Sequence, residues 1–187
     1  MATARTLAGV TLAPPSLAVT VRVLRCHEAA VFGITAAPDG RIVVSSYSYD
    51  VLVLSPATGA VEATLTVHRG SVFALCPLTD GTNRLLSGGD SDFMVCLHDL
   101  DAAHGGASVP PTRVYRGHAN TVIAIVELAG GRFASASGDK TICIWALESG
   151  ACLTTLEGHP SAVYALAVVD DGTLVSGSRN KTLRVWV

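Results

Sequence analysis

His118 and His159 stand 41 residues apart, and Trp145 and Trp186 are separated by the same 41 residues. Unrelated segments would rarely agree at two landmarks. The chain therefore contains a duplicated structural unit, and duplication at this period limits it to folds assembled from one small repeated module. The clearer copy, residues 116–150, reads as three short strands at 122–127, 132–137 and 141–146, with Gly130-Gly131 and Gly138-Asp139-Lys140 marking the turns between them. A Gly-His pair, Gly117-His118, precedes the first strand, and Trp145 closes the third. The same layout returns over residues 158–187.

These landmarks resemble those of the WD-repeat β-propellers, whose signature is a Gly-His pair, an Asp in a tight turn and a Trp-Asp pair, repeated every ~40–45 residues for each four-stranded blade. Gly117-His118, Asp139 and Trp145 carry the resemblance in one copy, and Gly158-His159, Asn180 and Trp186 carry it in the next. Both copies depart from the signature, with Ala146 and Val187 in place of its final Asp and Asn180 in place of the turn Asp. The resemblance implies an all-β propeller of four-stranded antiparallel blades, and it says little about activity.

Earlier in the chain the pattern is weaker but continues. His27 opens a repeat over residues 27–65 in which Cys26 replaces Gly, Ser48 takes the turn position and Leu54 replaces Trp. His68 opens another over residues 68–116, where His98 takes the Trp position and Asp99 follows it. With the copies at 118–156 and 159–187, the repeats number about four. The step from His68 to His118 is 50 residues, and most of its excess falls in 101–112, expected as a flexible insertion between third and fourth strands. Residues 1–16, rich in Ala and Thr and broken by Pro14-Pro15, read as a mobile leader, leaving 17–187 as the propeller domain. Residues 19–24 alternate as a strand should, and alignment places them over 152–156, the outermost strand of a repeat. In the family such an offset lets the N-terminal strand complete the last blade and close the ring. Four blades either close alone as a small ring, pair with a second copy as a homo-oligomer, or belong to a longer chain, and of these self-association is the expectation.

A formal net charge of −2 gives no general attraction to nucleic acid or acidic lipid. The longest uncharged stretch near the start, residues 6–21, is short of a membrane span and interrupted by Pro14-Pro15. Five cysteines, Cys26, Cys76, Cys96, Cys143 and Cys152, include no CxxC pair, and an odd number suits a reducing compartment, hence the cytoplasm or nucleus, with the thiols serving as small apolar strand residues.

His118, Ser135 or Ser137, and Asp139 could be mistaken for a catalytic Ser-His-Asp group. One catalytic site is needed once, however, whereas His27, His68, His118 and His159 each open a repeat. The resemblance implies a structural network instead: His118, Ser135, Ser137, Asp139 and Trp145 in one blade, and His159, Ser176, Ser178, Asn180 and Trp186 in the next, tying the third strand to the second and to the incoming loop. No HxxxH or mixed Cys/His spacing suggests a metal, and no glycine-rich segment has the form of a phosphate loop, so neither metal nor cofactor is expected.

What remains is surface. In the family the loops before first strands and between second and third strands share a face, which here would present Tyr49, Arg69, Asp92, Phe93, Asn120, Lys140, Arg179 and Lys181 as candidate partner-binding residues. Aromatic loop side chains are plausible anchors, and the basic ones suit an acidic or phosphorylated peptide. The expectation is a non-enzymatic scaffold for protein or peptide partners. The alternatives are a substrate-recognition subunit of a ubiquitin ligase or other multiprotein complex, and an enzyme using the central cavity.

Overall fold

A computed structural model describes residues 6–7, 10–11, 23, 26–66, 68–169 and 172–187. Strands β1 (Thr6–Leu7) and β2 (Val10–Thr11), within the stretch expected as a leader, pair as a small antiparallel ribbon. After them the repeats form four consecutive sheets. The first is the antiparallel meander β3 (Val31–Ala36), β4 (Ile42–Ser46), β5 (Val51–Leu54) and β6 (Val61–Leu65). The second holds β7 (Val72–Pro77), β8 (Arg84–Gly89) and β9 (Val95–Asp99) and then, beyond the short strand β10 (Ala107–Val109), β11 (Arg113–Tyr115). The third is β12 (Val122–Leu128), β13 (Arg132–Ser137), β14 (Ile142–Ala146) and β15 (Cys152–Leu156). The fourth is β16 (Val163–Val168), β17 (Leu174–Ser178) and β18 (Leu183–Trp186). The fold is all-β, with four propeller blades.

Each sheet repeats one irregularity. The pairing of its first two strands slips after the opening valine, between Val31 and Gly33, Val72 and Ala74, Val122 and Ala124, and Val163 and Ala165. A bulge at this point adds twist. The first strands then lie side by side, β3 on β7, β7 on β12 and β12 on β16, and the sheets fan outward from them. Apolar side chains from facing sheets fill the wedges between. Leu86, Val95, Tyr115, Val122, Phe133 and Trp145 pack between the second and third sheets, with Tyr115 standing edge-on to Phe133 at 4.8 Å and donating its hydroxyl proton to the Leu147 carbonyl at 2.7 Å. Ala134, Ile142, Ile144, Val163 and Leu174 pack between the third and fourth. Each such large side chain removed from water contributes roughly 1.5–3 kcal/mol.

Among the described residues the outermost faces lack these partners. Ile142 is 0% exposed, but Leu183, its counterpart on β18, is 75% exposed. Ile125 is 7% exposed, whereas Ile34 at the same register of β3 is 72% exposed. The expected closing strand at 19–24 lies outside the described residues apart from Val23, which is exposed.

Residues 101–112 are not the loose insertion that their composition suggests. A turn of 3-10 helix at Leu100–Ala102 is followed by β10, which pairs in parallel with β6 and makes the first sheet five-stranded. Leu100, Ala103 and Val109 enter the core of the first sheet. The buried Arg41 guanidinium donates to the carbonyls of Leu100 and Ala103, and Asn83 Nδ2 donates to Asp39 and Asp101 at 2.8 Å each. Three apolar side chains and a buried cation thus order a segment that reads as glycine-rich linker. Among the described residues no helix is long and apolar enough to cross a membrane.

Candidate functional site

One end of the molecule is built from the loops before each first strand and the turns between second and third strands. The two sets are stitched together in all four sheets: the amides of Tyr47, Asp90, Gly138 and Arg179 donate to the carbonyls of Ala30, Ser71, Thr121 and Ala162 at 2.9–3.2 Å. Behind this surface lies a polar group that the third sheet shows most completely. His118 Nδ1 meets Asp139 Oδ2 at 2.8 Å, its Nε2 meets Ser135 Oγ at 2.8 Å, and Trp145 Nε1 donates to the same Ser135 oxygen at 2.8 Å. Ser137 is not part of this chain of contacts. Its hydroxyl donates to the Asn120 carbonyl and accepts from the Asp139 amide, both at 3.0 Å, fixing the turn to the incoming loop. Burial opposes charge on His118, but the Asp139 carboxylate and Cys143 outweigh it and raise the imidazole pKa to about 9. Burial likewise opposes ionisation of Asp139, yet His118, Thr141 and the Ala119 amide hold its carboxyl well below the usual carboxylate range.

The neighbouring sheets show what substitution does to this group. In the fourth, Ser176 joins His159 Nε2 at 2.7 Å to Trp186 Nε1 at 2.9 Å, and Ser178 donates to Ala162 and Ser161. Asn180 instead accepts from Thr182, leaving the buried His159 Nδ1 without a partner. Burial and the nearby Arg184 lower the His159 pKa. In the second, Asp92 accepts from His68 Nδ1 at 2.9 Å, Ser87 joins His68 to His98, and His98 stands where the indole would be. Burial drives the His98 pKa down to about 3, so a neutral ring replaces the indole N–H donor. In the first sheet Val44 occupies the serine position and packs against Leu54, while His27 turns to Ser46 and Ser48 at 3.0 Å each. An apolar pair has replaced the polar one.

Asp92 therefore does not belong with the solvent-facing candidates. Its carboxylate is taken up by His68 and by the Arg69 and Met94 amides. One extra residue, Ser91, lengthens this turn relative to the third sheet and shifts the aspartate out of register in the sequence. Gly89 makes room for it, since a Cβ there would lie 2.3 Å from His68 Nδ1. The remaining turn candidates share a backbone feature. Tyr49, Phe93, Lys140 and Lys181 each adopt a left-handed φ, between 56° and 78°, at the same turn position of successive sheets. Such a conformation is strained for a side-chain-bearing residue and persists only where its surroundings hold it. Here the holding bonds are from the Phe93, Lys140 and Lys181 amides to the Asp90, Ser137 and Ser178 carbonyls at 3.0–3.2 Å.

Of the candidates, Asn120 and Arg179 line a recess of about 410 Å³ together with Phe73, Asp90, Ile123 and Tyr164. Arg69 and Asp92 line a separate recess with Met94 and Arg116. Tyr49 is exposed and Phe93 half-buried, apart from both. Phe73, Ile123 and Tyr164 were not among the residues the loops suggested, because they lie on strands. Each directly follows the opening valine of a first strand, as Phe32 does, and that register was available in the sequence. Phe32 also packs on Tyr47 and Phe73 with ring centroids 4.3 and 4.7 Å apart. The recess thus combines three apolar strand side chains with an arginine, an aspartate and an asparagine. Among the described residues no group of three or more His, Cys, Asp or Glu side chains is placed to hold a metal ion.

The profile of the family described as "WD domain, G-beta repeat" matches residues 18–50, 59–99, 109–146 and 150–187. The crystal structure of the WD40 beta propeller domain of Doa1 is similar, with a TM-score of 0.73 and 24% sequence identity over 88% of this chain and 52% of that one. The likeness is one of fold, and this chain spans about half the length of the chain it matches. No curated protein matches the sequence.

Proposed function

Because the chain belongs to the WD domain, G-beta repeat family, whose members are generally non-catalytic scaffolds for protein interaction, we propose that it is a non-enzymatic platform that binds protein or peptide partners on its turn-and-loop face. The observation that carries this reading is the recess walled by Phe73, Ile123 and Tyr164 and rimmed by Asp90 and Arg179, on a surface whose loops are already tied to one another by backbone hydrogen bonds. Side chains fixed before binding lose less ordering entropy on contact. The apolar side chains of the recess would take a hydrophobic side chain, and Arg179 an adjacent acidic or phosphorylated one. The histidine groups recur from sheet to sheet, as a structural device would, and offer no unique catalytic centre. With free thiols and a slight net negative charge, the protein is placed by this reading in the cytoplasm or nucleus and away from nucleic acid and membranes.

The bare apolar ends carry a second part of the proposal, self-association. Leu183 and Val185 are the counterparts of Ile142 and Ile144, and Val31 and Ile34 the counterparts of Val163 and Leu166, the two sides of the wedge between third and fourth sheets. A head-to-tail contact between two copies would reproduce that wedge.

The deciding experiment is affinity purification of the chain from lysate, with and without nuclease, beside a Tyr164→Ala, Arg179→Glu variant. Partners retained by the native protein under nuclease and lost by the variant support the platform. Recovery that is nuclease-sensitive, or unchanged in the variant, overturns it.

A further inference from the structure

We propose that Cys143 and Cys152 are a redox modification site, closing to a reversible disulfide across the outer edge of the third sheet when the protein meets hydrogen peroxide. The strand register brings them together. Cys143 on β14 is paired with Thr155 on β15, and a slip in the ladder then sets Cys152 opposite Trp145, the next residue but one on the same face. Both thiols lie 3.8 Å from the Thr155 hydroxyl, on one face of the β14–β15 pair. One is open to solvent and the other is not: Cys152 is exposed, while Cys143 is buried with its sulfur 3.8 Å from His118 Nδ1.

The two environments divide the chemistry. Burial works against ionising Cys143, but His118 and Thr155 more than offset it and hold its pKa below the ordinary thiol value. Cys152 is shifted the other way, by burial and by the charge that Cys143 acquires. Cys152, the accessible sulfur, attacks one oxygen of peroxide. The O–O bond breaks, the thiol proton leaves with the departing hydroxide as water, and Cys152 becomes a sulfenic acid. The Cys143 thiolate then attacks that sulfur. The S–S bond forms as the S–O bond breaks, and the hydroxide released takes up the proton that Cys143 had given off. In sum two thiols are oxidised and one peroxide is reduced to two waters. Cys76 and Cys96 are buried and closed to peroxide, whereas Cys152 is open to it.

Cleavage after Lys140 and Arg179 releases both cysteines in one tryptic peptide, residues 141–179. The full chain is reduced, desalted, treated with hydrogen peroxide, blocked with iodoacetamide and digested. The expected product is this peptide free of alkylation and about 2 Da lighter than its dithiol form, returning to the doubly alkylated form after dithiothreitol. In Cys143→Ser the same treatment should leave Cys152 as sulfenic or sulfinic acid, because nothing remains to trap it. The proposal is overturned if Cys152 advances to sulfinic acid in the native chain while Cys143 stays fully alkylatable. It is equally overturned if both thiols are alkylated after peroxide as before it.

Discussion

His118 Nδ1 lies 2.8 Å from Asp139 Oδ2, whereas the equivalent nitrogen of His159 is buried and meets nothing because Asn180 stands where the aspartate would be. One sheet therefore carries a complete polar group and the next an incomplete one. Asn180→Asp should complete it and raise stability by roughly 1–2 kcal/mol, while Asp139→Asn should cost about 1–3 kcal/mol by leaving His118 and the Ala119 amide short of an acceptor. Urea titration of both variants checks the signs. An Asn180→Asp chain no more stable than the native one would contradict this account.

The same pair sets a pH window. The His118 pKa is raised from 6.5 to about 9, so its share of stability is complete below 6.5 and is lost as pH rises through 9. Asp139 is shifted down from 3.8, so its share is complete above that value and is lost as pH falls toward the lowered one. The stability difference between native chain and Asp139→Asn should thus be greatest between about pH 4 and 6.5 and shrink on both sides. Denaturation midpoints measured across pH at constant ionic strength test it; a difference that grows from pH 7 to 9.5 would be the wrong sign.

Arg41 holds the segment between the second sheet's third and fourth strands against the first sheet through the carbonyls of Leu100 and Ala103. Arg41→Met should cost roughly 2–4 kcal/mol, since two buried carbonyls lose their donors and Asp39 loses its cationic partner. Amide exchange over residues 100–109 should accelerate more than in the third sheet. Equal acceleration everywhere would mean that Arg41 has no special hold on that segment.

Much of this architecture could be read in advance. Strands at 61–65, 132–137 and 152–156 fall where the turn residues and the repeat put them; only the first alternates in burial, while 132–137 is buried on both faces and 152–156 is largely exposed. Strand β10 left no such trace: three residues, Ala107–Val109, pair in parallel with a strand more than forty positions earlier, and nothing local in their composition announces it. Asp92 was obscured by the single extra residue Ser91. The apolar lining of the recess was missed because Phe73, Ile123 and Tyr164 sit within strands, where apolar residues read as core; only the side-by-side placing of the first strands brings that register into one recess.

If two copies meet end to end, light scattering on the native chain should give a mass above the 19.2 kDa of one chain, rising with concentration. Ile34→Asp with Val185→Asp should return it to a single chain, since each places a charge on a face that is apolar in the internal wedges. A native chain that scatters as one copy at all concentrations removes the self-association proposal and leaves the platform reading intact.

The parallel ladder between β6 and β10 has a thermodynamic consequence. The segment belongs by sequence to the second sheet and by packing to the first, so neither sheet can open without withdrawing Leu100 and Val109 from a shared interior. Partial unfolding of this molecule should proceed in cooperative blocks in which those two sheets melt together. The smallest foldon here is then larger than the sequence repeat that generated it.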